Sequence, residues 1–189
     1  YTSAPYTRLV YSLCSPLTTT IRAIDGKLVN YNGDEIKTNA QKYVYSDISN
    51  HWAMDIILRF SYTGIGFEGD TFRPDEKINA KDFQMLLGMC GIYSQTDLQD
   101  DAPVTRTDAV KYILDSYGYN KIAQLKGVFI TDFTDNFKLQ ENDVGYIAIA
   151  KGFDLIKGDG NSFRPYDALT RAECLALCYN IIDSSISKA

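Results

Sequence analysis

The chain has 189 residues, 45% of them apolar and 23% charged, with a formal net charge of −5. That apolar share is ample for a packed core and argues against disorder, and the length suits one repeat-built domain or two small ones. An acidic balance without any basic run argues against nucleic acid, and no apolar stretch is long enough to span a bilayer.

Starting at Tyr1 without Met or a leader-like segment, the sequence reads as a mature fragment, the end of a larger secreted protein. Residues 1–44 read as β-rich. Arg8 to Leu13 and Thr18 to Ile24 are β-branched and aromatic runs. Asp25-Gly26 then turns the chain into Lys27 to Tyr31, and Asn32-Gly33 turns it again. From Tyr45 the rhythm becomes helical. His51 to Tyr62 is predicted to be an amphipathic helix offering Trp52, Ile56, Leu58 and Phe60 to the core and ending at Gly64. A loop follows, anchored by Phe72 and stopped by Pro74. The next helix starts at Asn79, a good N-cap with Asp82 three residues on, and ends near Gly91. Thr105 and Asp108 start another that ends near Gly118. Residues 119–133 form a link with room for one short helix. Glu141 to Lys151 reads as a helix with Tyr146, Ile147 and Ile149 apolar, and Thr170 with Glu173 opens the last one as a full capping box.

Much of this is repetition. A shift of 91 residues lays Phe72-Arg73-Pro74 on Phe163-Arg164-Pro165 and Ile78-Asn79 on Leu169-Thr170. Earlier in each copy the shift is 88, putting Tyr45-Ser46-Asp47 on Phe133-Thr134-Asp135 and Gly64 on Gly152, so the three-residue difference is expected between that glycine and the Phe-Arg-Pro. A partial copy, Pro103 to Ala109, lies between them and lacks a front helix. The segmentation is therefore 1–44, 45–92 for the first repeat, 93–131 for a truncated second repeat and linker, and 132–189 for the third. Each unit alone cannot bury its apolar stripe, so the helices from Asn79, Thr105 and Thr170 should share one core.

Four cysteines show no Cys-x-x-Cys spacing. Cys90 completes the apolar set Phe83, Leu86, Leu87, and the third copy repeats it as Cys174, Leu177, Cys178, Ile181. That periodicity is the buried face of a helix, so these are read as buried thiols rather than metal ligands or disulfides.

The combination of Ser46-Asp47-Ile48-Ser49-Asn50-His51-Trp52-Ala53, a Gly-rich loop, Phe163-Arg164-Pro165 and Thr170-Arg171-Ala172-Glu173 resembles the S-layer homology domain, over roughly residues 45–183. The resemblance implies a mainly α fold, helix–loop–helix repeats around a pseudo-threefold central helix bundle, with the small N-terminal β-hairpin segment attached. It also implies a secreted, cell-surface, non-enzymatic module that needs no cofactor and binds an anionic, pyruvylated secondary cell-wall polysaccharide. Separately, Ile21 to Val29 is similar to the last strands of PepSY-type domains, which makes residues 1–44 the tail of an upstream domain and that domain a possible packing partner.

A Thr-Arg pair at a helix start caps the helix and projects a guanidinium from an end that already favours anions. An Arg fork there suits a carboxylate such as a pyruvyl ketal. By resemblance this role is carried to Arg171 and Arg106, with Thr170, Thr105 and Glu173 of the same motif, Trp52 and Asp47 of the front motif, and Gly158, Asp159 and Gly160 in the loop bordering the sugar groove. In the first copy the aligned residue is Ala80, which puts a site there in doubt. The competing reading for each Arg is a structural salt bridge, for Trp52 a core anchor, and for the glycines a tight turn at positive φ. His51 is the sole histidine, and the cysteines sit on a buried helix face, so Cys–His hydrolysis is not expected. With a global charge of −5, binding to an anionic polymer must rest on local cations. The alternative function is a degenerate protein–protein module that packs on an upstream extracellular domain.

Overall fold

The structure, a computed structural model, describes residues 44–96, 98–99 and 101–183 together with the backbone of 22–24 and 27–29. Strands β1 (Arg22–Ile24) and β2 (Lys27–Val29) pair antiparallel with Ala23 opposite Leu28, the hairpin expected around Asp25-Gly26. The other β readings, at Arg8 to Leu13 and Asn32-Gly33, lie outside the described residues. The remainder is helical: α1 (Met54–Tyr62), α2 (Ala80–Met89), α3 (Arg106–Ser116), the short α4 (Asn120–Ala123), α5 (Glu141–Gly152) and α6 (Arg171–Asp183). A single 3-10 turn, Asn136–Lys138, precedes α5. Between α2 and α3 no helix occurs among the described residues, matching the expected loss of a front helix there.

Three helices start on a capping side chain. Asn79 accepts from the Asp82 N–H at 2.8 Å, and Thr105–Asp108 and Thr170–Glu173 form reciprocal boxes. The residues just before these caps close a ring of backbone hydrogen bonds. Ile78 N–H donates to Leu169 O at 2.9 Å, Leu169 N–H to Val104 O at 2.8 Å, and Val104 N–H to Ile78 O at 3.0 Å. All three side chains are buried on the axis of that ring. The next N–H groups of each helix, which have no partner inside it, also leave their own unit. Those of Arg171 and Ala172 donate to Glu76 O and Pro74 O, those of Arg106 and Thr107 to Asp167 O and Pro165 O, and that of Ala80 to Ala102 O. Each helix start thus plugs into the loop of another unit, and the interlock runs round the pseudo-threefold in one direction.

Around this hub α6 packs on α1 and α2, while α5 packs on α3 and α4. Phe83 of α2 meets Tyr112 of α3 edge-on at 5.4 Å. The repeated set Phe83, Leu86, Leu87, Cys90 and Cys174, Leu177, Cys178, Ile181 is buried throughout, and the three thiols there are free. A hydrogen bond to Cys178, and then burial, pushes the Cys90 thiol up; a hydrogen bond with Cys174 heads the causes that raise Cys178.

Two features correct the sequence reading. Trp52 lies ahead of α1, 62% exposed, so its core-anchor alternative fails; Ile57, Phe60 and Ser61 are the buried residues of that helix. Gly152 is the last residue of α5 and is not the counterpart of Gly64. After α1, Gly64 N–H bonds Ser61 O and Ile65 N–H bonds Phe60 O; after α5, Asp154 N–H bonds Lys151 O and Leu155 N–H bonds Ala150 O. The left-handed residue closing each front helix is Gly64 (φ +79°) in one and Asp154 (φ +59°) in the other. Most of the length difference therefore sits in the front helix itself, which has 12 residues in α5 against 9 in α1. Asp tolerates that conformation better than most side chains, which hid the equivalence behind a glycine that matched by chance.

Each Phe-Arg-Pro loop is held by one carboxylate. Asp47 accepts from the N–H groups of Phe72 and Arg73 at 2.8 and 2.7 Å, and Asp135 from those of Phe163 and Arg164 at 2.8 and 2.7 Å. Burial raises both carboxyls, but the hydrogen bonds they accept outweigh it and hold both below the usual carboxylate range. A depressed folded pKa adds stability above the unfolded value of about 3.9, and that stability is lost as pH falls through the folded value. Urea midpoints are therefore expected to hold steady from about pH 7 to 5 and to fall below about pH 4. Asp135→Asn should lower the midpoint at neutral pH and flatten its fall in acid; an unchanged acid limb would show that the latch contributes nothing.

Candidate functional site

A groove of about 600 Å³ opens between the last loop and the start of the first front helix. One wall is the loop Leu155 to Arg164 with the first turns of α6; the other carries Trp52 and Asp75, and Arg106 from α3 closes the floor. Gly158 and Gly160 take positive φ (+76° and +59°), and Asp159 and Ser162 bond each other's backbone, so the glycine-rich stretch is a tight turn. A Cβ on Gly158 would lie 2.7 Å from Phe133 Cε1 and 2.8 Å from Ser162 O, so this turn presses against the core and tolerates no side chain.

His51 sets the far wall. Its Nδ1 accepts the Ala53 N–H at 3.1 Å, leaving Nε2 to face Asp75 Oδ1 at 3.3 Å, and its ring lies 5.4 Å from that of Trp52. The indole beside it is 62% exposed and lines the groove.

The two helix-start arginines are engaged by the protein in the same way. Arg171, 4% exposed, donates from Nη1 to Phe72 O (3.2 Å) and from Nη2 to Asp82 (2.9 Å), lies 3.6 Å from Glu76, and stacks over Phe67 at 4.0 Å. Arg106, with 14% of its side chain exposed, donates from Nε to Phe163 O (2.8 Å) and from Nη1 to Glu173 (2.9 Å) and lies over Phe163. Each therefore bonds the Phe carbonyl of another unit's Phe-Arg-Pro and the carboxylate of that unit's cap. Burial lowers the Arg106 pKa from its usual value, with Glu173 opposing the shift. Glu173 serves three groups, since it also accepts the Thr170 N–H at 2.9 Å and faces Arg164 at 3.4 Å.

Of the residues singled out from sequence, the groove gathers Trp52, Arg106, Gly158, Asp159, Thr170 and Glu173. Arg171, Thr105, Asp47 and Gly160 lie outside its lining, with Thr105 committed to its capping box and Asp47 to the loop latch. Sequence reasoning passed over Arg164, Lys157 and Asn180, which also line it. Arg164 carried a signal in its recurrence as Arg73, but the tripeptide was read only as a loop anchor.

Residues 140–174, from the start of α5 through this loop into the first turn of α6, match the family model of the S-layer homology domain. This segment carries the S-layer homology signature. No curated protein matches the chain. The matched S-layer homology segment supplies Lys157, Gly158, Asp159, Arg164, Thr170 and Glu173 to the groove, while Trp52, Asp75 and Arg106 come from outside it. An S-layer homology domain is a binding module rather than a catalyst, and it supports cell-wall anchoring at the cell surface. No helix among the described residues is long and apolar enough to cross a membrane.

Proposed function

We propose that the chain is a secreted, non-enzymatic anchoring module whose groove holds an anionic, pyruvylated secondary cell-wall polysaccharide. The observation that carries this reading is the exposed Trp52 facing Arg164 and Lys157 across a groove built largely from the S-layer homology segment. An indole offers an apolar platform for a pyranose face, and the cations opposite offer charge to its carboxylate.

The interlock also sets how many grooves can work. Each needs the loop and capped helix of one unit, the front-helix start of the next, and the first-turn Arg of the one before. The groove described here has all three, with Arg106 as that Arg. Its counterpart on the 45–92 unit has Phe72, Asp82 and Arg171 but faces the unit without a front helix. The third position has neither a full loop nor an Arg, since Ala80 stands there. One strong site per chain follows, with the 1–44 segment belonging to an upstream domain.

The test is co-sedimentation with purified wall sacculi before and after extraction of the secondary polymer. Covering roughly 80 Å² of indole at about 25 cal/mol per Å² amounts to about 2 kcal/mol. Trp52→Ala is therefore expected to weaken polymer-dependent binding by roughly 30-fold without shifting the melting temperature. No binding by folded wild type, or binding indifferent to polymer extraction, would sink the reading.

A second reading is favoured by one observation. Ile122, Leu125, Val128, Ile130 and Phe137 are exposed within one stretch, Ile130 at 90%. Such a patch suits packing on a neighbouring domain. In that case charge-introducing changes at Ile130 would abolish function while groove variants left it intact.

A further inference from the structure

The chain between α3 and α5 is fastened to the protein by a few groups while five large apolar side chains stay outside. Phe129 turns inward, close enough that a Cβ on Gly145 would stand 3.0 Å from its ring. Its neighbours Val128 and Ile130 are left 63% and 90% exposed, and Ile122, Leu125 and Phe137 stand out at 49%, 53% and 79%. Two contacts gather these residues beside the start of α5. Asn136 Nδ2 donates to Thr131 O at 3.0 Å, which brings the turn carrying Phe137 against the segment carrying Ile130. Lys126 pairs with Glu141 at 3.0 Å.

At roughly 200 Å² for a whole side chain of this kind, the exposed shares come to roughly 600 Å². That is the upper end for the largest apolar patch of a monomer, a size that marks an interaction surface. Its rim carries both signs, since Lys121, Lys126 and Lys138 are exposed around it and so are Asp132 and Glu141. A face that pairs with itself across a twofold axis needs both, because each charge then meets the opposite sign on the other copy. Lys126 and Glu141 are free to make that exchange. Their side chains are 66% and 68% exposed, and a surface pair of this kind contributes little to stability. An anionic lipid surface would instead call for a rim of cations alone.

We propose that this face is a homodimer interface, in which Ile130 and Phe137 pack against a second copy of the chain around a twofold axis. With its rim the face approaches the roughly 800 Å² that each partner gives to a stable complex. None of these residues lines the groove, so both grooves stay open in the pair. On the anchoring reading, the two grooves engage one repeating polymer and hold it by avidity. The pairing itself does not depend on that reading.

Sedimentation equilibrium of the full chain tests it. Wild type is expected to pass from 21.2 kDa to twice that mass, with a midpoint at or below about 20 µM. Ile130→Asp and Phe137→Asp should each raise that midpoint by at least about 30-fold, the loss typical of a central interface residue. Both side chains are largely exposed, so the variants should melt as the wild-type monomer does. Trp52→Ala should pair as wild type does. A wild type that stays monomeric up to about 200 µM overturns the proposal and leaves the patch to a neighbouring domain. Growth past the dimer, which means a head-to-tail contact, overturns it as well, and so does a dimer unmoved by both variants. On sacculi, Ile130→Asp should bind about 100-fold more weakly than wild type. Equal binding overturns the shared use of two grooves. No binding by either protein removes the anchoring reading and leaves the pairing, read by mass, in place.

Discussion

Gly145→Ala is expected to lower the melting temperature by roughly 6–12 °C, the equivalent of about 3 kcal/mol for a chain of this size. Gly145 lies within α5, where glycine is ordinarily a weak choice and alanine a better one by about 1 kcal/mol. Here the order reverses, because α4 crosses α5 against that position. A methyl group built on Gly145 would stand 2.0 Å from Ala123 O and 3.0 Å from Phe129 Cδ2. The obstacle is backbone at the end of α4, so no rotamer change relieves it, and α4 with the segment through Phe129 must lift away. The reading is made by thermal melts of Gly145→Ala against Gly152→Ala. A Cβ on Gly152 in the same helix meets nothing within 4 Å, so that control should keep or raise stability. Equal melting of the two variants would mean that α4 does not approach α5 as described.

Arg171→Ala is expected to cost about 3–5 kcal/mol, comparable with or larger than Gly145→Ala. The guanidinium is buried, and removing it strands the Asp82 carboxylate and the Phe72 carbonyl at the point where α6 meets the 45–92 unit. The stacking of Arg171 on Phe67 is lost as well. A double-mutant cycle in urea separates the pair from general packing loss. Arg171→Ala and Asp82→Ala should each destabilise, and the double variant should lose much less than their sum. Additive losses would show that the two groups do not act as a pair. Since Arg171 lies outside the described groove, Arg171→Ala at a temperature where it remains folded should bind polymer as wild type does; a selective loss of binding would restore it as a ligand residue.

The caps were legible in the chain because capping is local. Asn79, Thr105 and Thr170 announce helix starts through residues three positions away, and the structure places all three starts at those caps. The buried faces of α2 and α6 were equally readable, since a 3.6-residue period needs no knowledge of what it packs against. Trp52 was harder. An indole ahead of an apolar helix has the same sequence signature whether it turns inward or out, and only the fold shows it exposed beside the His51 ring in the groove lining. Gly145 gave no signal at all, since only the crossing of α4 over α5 makes it necessary.

What the sequence by itself determined is the set of parts: a mainly helical chain, three capped helix starts, two full Phe-Arg-Pro loops, a missing front helix, and the S-layer homology signature in the last unit. These rest on interactions between residues a few positions apart. What only the tertiary structure decided is which arginine does what. Thr105-Arg106 and Thr170-Arg171 look alike along the chain, yet their guanidiniums are consumed by carboxylates 67 and 89 residues away, while Arg164 is left facing the groove. A side chain's availability depends on the charges folded against it, and those partners come from other units of the interlock.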